Sequence, residues 1–149
     1  MSTEKLYVYL DPEGARKCGH VGLIFLYSDG SAEKIYQSAV NPKESIFRLI
    51  LLRQPVKVIV KKFKNYESMR KLAGKNKYFE LKTGSKEEIR EAVERYIREN
   101  RPYSSLTNNC GQFLHEVVSV AGDVKSKNKL IPREYYEYLK KNYRKNQKK

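Results

Sequence analysis

Apolar and polar residues along the chain fall first into strand-like runs and later into helix-like ones. Leu6-Tyr7-Val8-Tyr9-Leu10 is a run of strand formers, and Asp11-Pro12-Glu13-Gly14 after it reads as a turn or loop. Gly19 to Tyr27 is apolar at nearly every position instead of alternating, which predicts a strand buried on both faces, central in its sheet. Ser28-Asp29-Gly30-Ser31 carries the Asp-Gly hairpin signal, so Glu33 to Ala39 is expected to return antiparallel. Pro42 to Gln54 fits a short helix or an irregular crossing. Val56 to Phe63 reads as another strand, Tyr66 to Ala73 as a short helix ended near Gly74, and Tyr78 to Leu81 as a short strand.

Helical spacing dominates from residue 85 onward. Ser85 followed by Glu88 is a capping-box pair, and Ile89, Ala92, Val93, Tyr96 and Ile97 form one apolar stripe. Asn100-Arg101-Pro102 stops that helix. A second helix is predicted from Cys110 to Ala121, with Gly122 as its stop. A third starts at Pro132, where proline suits the first turn, and runs to Tyr143. Strands followed by helices, with one strand between, predict an α+β fold: an antiparallel sheet packed against helices. With no repeat and no Pro-, Gly- or Ser-rich linker, residues 1–143 are expected to form a single domain. Residues 144–149 are a basic tail expected to fray.

Composition narrows the classes. The chain has 149 residues, enough for a sizeable core, with 40% hydrophobic and 32% charged residues. No apolar run approaches the about 18 residues of a membrane-spanning helix, so no transmembrane segment is expected. Met1 to Leu10 lacks a signal-peptide core, which implies synthesis in the cytoplasm and, for any role outside, a dedicated secretion system. The formal net charge of +14 favours polyanionic surroundings such as nucleic acid, an anionic membrane face or the acidic polymers of a bacterial wall. No metal-ligand cluster is visible, and no cofactor is expected.

The two cysteines, Cys18 and Cys110, are too few for a disulfide framework, and the two histidines are His20 and His115. A cysteine attacks as its thiolate and needs a lowered pKa, which a helix N-terminus helps to supply. Asn108 or Asn109 can cap the helix and leave Cys110 in its first turn; Gly111 then lets a substrate carbonyl come close to the backbone. At about 100° per residue, Phe113, Leu114, Val117 and Ala121 lie within about 60° of Cys110, whereas His115 lies about 140° away. His20, at the start of the central strand, is therefore the histidine left to act as base. Gln37 and Ser38, on the returning strand, point to opposite faces, so one of them can flank it. Cys18 reads as incidental or as a second thiol near the site.

Gly19-His20-Val21-Gly22-Leu23-Ile24-Phe25, followed much later by Asn109-Cys110-Gly111-Gln112-Phe113-Leu114, resembles the circularly permuted NlpC-type papain-like superfamily. Its members include cell-wall peptidases and amidases, lecithin retinol acyltransferase-like enzymes and amidase effectors delivered between bacteria. The resemblance extends from about Cys18 to Pro132 and includes Tyr103 before Asn-Asn-Cys. It implies a permuted papain-like fold with Cys110 as nucleophile and His20 as base. It places Gln37 at the third polar position, where relatives have Glu, His or Gln. Gln37 supplies neither a carboxylate nor a second imidazole, but its amide can hold the ring by a hydrogen bond. Tyr103, Asn109 and Gly111 are the expected substrate-binding residues.

The function implied is cleavage of an amide through a thioester, with a cell-wall peptide as first substrate and an immunity protein or secretion carrier as partner. A papain-like protease or an acyltransferase or lipase on protein or lipid is the second enzymatic reading. A basic nucleic-acid-binding module with a structural cysteine is the alternative of another class, since 12 tyrosines and many lysines can stack bases and contact phosphates. No nucleic-acid motif is present, and several tyrosines fall on helix stripes, so no specific nucleic acid is expected.

Overall fold

The computed structural model describes residues 2–11, 20–39, 56–73, 76–99, 110–125 and 132–143; at 20, 37–39, 56, 57, 72, 73, 110–112, 132 and 133 the description is of the backbone. The predicted Pro42–Gln54 element, Cys18, Tyr103, Asn109 and the tail lie outside the described residues.

Among the described residues there are five strands: β1 (Thr3–Asp11), β2 (His20–Tyr27), β3 (Ala32–Ala39), β4 (Val56–Phe63) and β5 (Lys77–Glu80). They form one antiparallel sheet in the order β4-β3-β2-β1-β5. The both-faces-apolar strand β2 is the middle one, as its composition requires. Its pairing with β1 runs from Thr3↔Tyr27 to Asp11↔His20, and β3 pairs with β4 along its whole length. Asp11 belongs to β1 and not to a turn: the strand runs on because its last rung is closed by His20. The β2–β3 hairpin has Gly30 at φ 88°, a left-handed conformation that glycine adopts without a Cβ clash. Asp29 accepts hydrogen bonds from the Ser31 backbone N–H (2.9 Å) and hydroxyl (2.5 Å), which fixes the turn.

Four helices are described: α1 (Tyr66–Ala73), α2 (Lys86–Glu99), α3 (Cys110–Val118) and α4 (Pro132–Tyr143). The last three cover one face of the sheet. Leu6, Val8, Leu10, Val21, Leu23, Phe25, Tyr27 and Ile35 meet the apolar sides of α2, α3 and α4 there in one core. Tyr96, Tyr135 and Tyr136 are buried in it, so the helical tyrosines pack instead of facing solvent. The other face is smaller. Tyr9, Ile24 and Ala32 join Met69 of α1, with Tyr7, Leu26, Tyr36, Phe63 and Tyr66 around them. Asn65 caps α1 by accepting from the Ser68 N–H at 2.8 Å.

Three local expectations change. Ile97 is 41% exposed, because the α2 stripe outruns the edge of the core after Tyr96. Helix α3 ends at Val118; Ala121 is still buried, carried there by a turn in which its N–H donates to the Val118 carbonyl. The start of α2 is held not by a Ser85–Glu88 box but by Thr83, whose hydroxyl accepts from the Ser85 N–H (3.0 Å) and donates to Asp123 (2.5 Å).

Gly22 sits in the tightest spot of the sheet. A Cβ there would lie 2.5 Å from the Ile35 carbonyl oxygen and 2.6 Å from the Tyr9 ring. Tyr9 is its cross-strand partner and covers the place where a side chain would stand. Gly22→Ala is expected to cost about 1–3 kcal/mol of stability in urea unfolding, as overpacking does. Gly122, with nothing within 4 Å of the same position, is the control, and Gly122→Ala should stay within about 0.5 kcal/mol of wild type.

Candidate functional site

Helix α3 is anchored by its apolar side. Phe113, Leu114, Val117 and Val118 are all buried, and Phe113 meets Tyr96 of α2 edge-to-face at 4.9 Å between ring centroids. The helix packs across β2 and β3 and against α2 and α4. This fixes the direction of its N-terminus, where Cys110 is the first residue and Gly111 the second. Backbone N–H groups of a first turn have no acceptor within the helix, and the macrodipole makes that end favourable to an anion.

The remaining candidates come from the strands. His20 is the first residue of β2, in register with Asp11 of β1. Gln37 and Ser38 stand on β3 opposite Val58 and Lys57 of β4. Helix α3 as a whole packs on β2 and β3, the two strands that carry His20 and Gln37. The side chains of Cys110, His20 and Gln37 lie outside the described residues, as do Tyr103 and Asn109 entirely. His115 is half-buried and meets the Tyr135 ring edge-to-face at 6.1 Å, so the second histidine packs between α3 and α4. Among the described residues no three His, Cys, Asp or Glu side chains are grouped to hold one metal ion.

A second polar feature, absent from the sequence reading, lies where β5 leaves the sheet. A groove of about 850 Å³ is lined by Glu80, Lys82, Thr83, Lys86, Asp123 and Lys125, among others. Asp123 ties its two walls together. It accepts from the Thr83 hydroxyl and, at 2.9 Å, from the Gly84 N–H. Tyr143 accepts the Lys82 N–H at 2.9 Å through its carbonyl, and its hydroxyl accepts the Lys125 N–H at 2.7 Å. The two Asp123 bonds join residues 40 and 39 positions apart and set the end of α3 against the start of α2, while the Tyr143 bonds tie in the end of α4.

Desolvation raises the Asp123 pKa, but hydrogen bonds from Thr83 and Gly84 outweigh it and hold the carboxyl below its ordinary value of 3.8. A depressed carboxylate stabilises the fold above its unfolded pKa and loses that contribution as pH falls through the folded one. Asp123→Asn is therefore expected to remove part of the acid limb of the stability curve below about pH 4. The change at pH 7 should be modest, about 1 kcal/mol, since the carboxylate is largely exposed. Unfolding midpoints from pH 2.5 to 7 check this. Phe113→Ala should cost about 3–5 kcal/mol by the same measurement, because it empties a fully buried site beneath α3.

No family model matches the chain, no curated protein matches it, and no solved structure matches it.

Proposed function

We propose that this chain is a cysteine hydrolase of permuted papain-like design, with Cys110 as nucleophile and His20 as base. The observation that carries the reading is topological. The helix that begins at Cys110 is seated on the strand that begins at His20 and on its neighbour, which holds Gln37. A buried apolar side holds α3 in place, so a thiol in its first turn is presented from a fixed frame.

In the proposed cycle, His20 takes the Cys110 proton and the thiolate attacks an amide carbonyl carbon. The carbonyl oxygen becomes an oxyanion, to which the Cys110 N–H donates. Collapse of the adduct breaks the C–N bond, and the His20 imidazolium gives its proton to the leaving amine. A thioester remains. Water, deprotonated by His20, attacks it, the acid leaves and the thiol is restored. Gln37 or Ser38 orients the imidazole, while Tyr103, Asn109 and Gly111 line the substrate's approach. The substrate class proposed is a bacterial cell-wall peptide amide, since a chain of net charge +14 gathers at anionic wall polymers. An antibacterial effector of this kind would be carried by a secretion machine and matched by an immunity protein.

Two measurements test this in order. Iodoacetamide should label Cys110 at least tenfold faster than Cys18 at pH 7, and His20→Ala should abolish the difference. Equal labelling of both thiols, indifferent to His20, would refute the pair. Gln37→Ala and Ser38→Ala, compared in the same assay, identify the orienting residue. Purified peptidoglycan should then release new fragments, read by mass spectrometry, with wild type and none with Cys110→Ala. Selective labelling without fragments would keep the thiol chemistry and replace the wall substrate with a protein or acyl lipid.

A further inference from the structure

The face of the sheet opposite the three helices carries charge in an unusual arrangement. Lys34 of β3 and Lys61 of β4 are direct cross-strand partners, so two cations stand side by side on one face. Like charges in that position repel. Both ammonium groups stand near one aromatic ring: Lys34 Nζ is 5.9 Å and Lys61 Nζ 5.8 Å from the centroid of Tyr36. Lys34 also lies 4.6 Å above the ring of Tyr9, which is itself buried against Gly22. Among the described residues, neither lysine takes part in a salt bridge.

Lys34 is half-buried, whereas Lys61 is exposed. Burial lowers the Lys34 pKa, Lys61 lowers it further, and Asp11 acts in the opposite direction. A partly dry ammonium held against a second one is costly, and the Asp11 carboxylate offsets only part of that cost. The aromatic rings stabilise each cation by about 0.5–1 kcal/mol but do not neutralise either. Lysines meet phosphate as point charges, so two of them suit one doubly charged group better than two separate single charges. Buried Tyr9 and partly buried Tyr36 present aromatic rings beside the two ammonium groups, and their packing limits the ordering needed on binding.

We propose that Lys34 and Lys61, set around Tyr36 and Tyr9, form a binding site for a phosphate dianion, free or as the monoester of a small molecule. The site is on the other side of the sheet from α3. Phosphate monoesters carry close to two charges at neutral pH, their second pKa being about 6, whereas phosphodiesters carry one. This separates the site from the backbone of a nucleic acid and from a diester lipid headgroup.

The test uses the full chain at pH 7.5 and constant ionic strength, with sodium chloride replaced stepwise by inorganic phosphate or by glycerol phosphate. Binding is read by calorimetric titration and by the melting temperature. The double variant Lys34→Gln/Lys61→Gln should bind phosphate at least tenfold more weakly than wild type. A control, Lys62→Gln/Lys77→Gln, removes the same charge from exposed positions and should bind as wild type does. Melting curves in chloride alone show that both variants fold. The site is refuted if wild type shows no binding beyond matched chloride, or if both double variants lose affinity equally. Phosphatidylglycerol vesicles and a single-stranded oligonucleotide form the remaining arms. Binding to either that is lost in Lys34→Gln/Lys61→Gln, without binding of free phosphate or glycerol phosphate, would also overturn the dianion site. Cys110→Ala should bind phosphate as wild type does, which separates failure here from failure of the hydrolase reading.

Discussion

Everything in this fold leans on β2 being buried on both faces. Its odd-numbered residues, Val21, Leu23, Phe25 and Tyr27, close the core beneath α2, α3 and α4. Ile24, on the alternate side, closes the smaller cluster beneath α1. A strand in that position cannot slip by one residue, because a slip would exchange its two sets of side chains between two differently filled cores. Gly22 sharpens the constraint. Tyr9 from β1 and the Ile35 carbonyl from β3 converge on it from both neighbouring strands, and only a residue without a Cβ admits them. The register of three strands is thereby set at one point.

Much of this was legible because it is periodic. The continuous apolar run of β2 announced the central strand, and the spacing of Phe113, Leu114 and Val117 announced the buried side of α3. Errors came where a period continues past the structure that needs it. Ile97 keeps the helical phase of Ile89 and Val93, yet the sheet beneath α2 has run out by then, so it is exposed. Ala121 keeps the phase of Cys110, yet the helix has ended at Val118 and a turn delivers the residue to the core. Burial depends on what stands opposite, and phase alone does not encode that.

The polar features were less legible for a related reason. Thr83 and Asp123 are 40 positions apart, and neither has a sequence neighbour that signals the bond. Lys34 and Lys61 become partners only through the β3–β4 register, set across residues 40–55. Each lysine alone reads as the polar position of an alternating strand. Their pairing is a property of the ladder. The Cys110–His20 assignment has a different basis, since it rests on two short motifs, their order and the scarcity of histidine, and the structure adds only that α3 packs on β2.

The two faces of the sheet also divide the protein's charge in a way that net charge conceals. A total of +14 suggests diffuse attraction to any polyanion, which exposed lysines provide and salt screens. The Lys34–Lys61 pair is different in kind. Lys34 is half-buried, its ammonium is close to a ring it cannot leave without losing contact, and its repulsion from Lys61 is built into the backbone register. Long-range attraction brings an anion to the molecule, but only a preorganised pair gives one location an advantage over the rest of a basic surface. On the opposite face, the start of α3 favours negative charge by the orientation of its peptide dipoles, with no lysine required. Anions are thus favoured on the two sides by two unrelated devices, paired side-chain cations on one and backbone N–H groups on the other. The first depends on two amino groups staying protonated, whereas the second keeps its sign across the whole pH range in which the fold is stable.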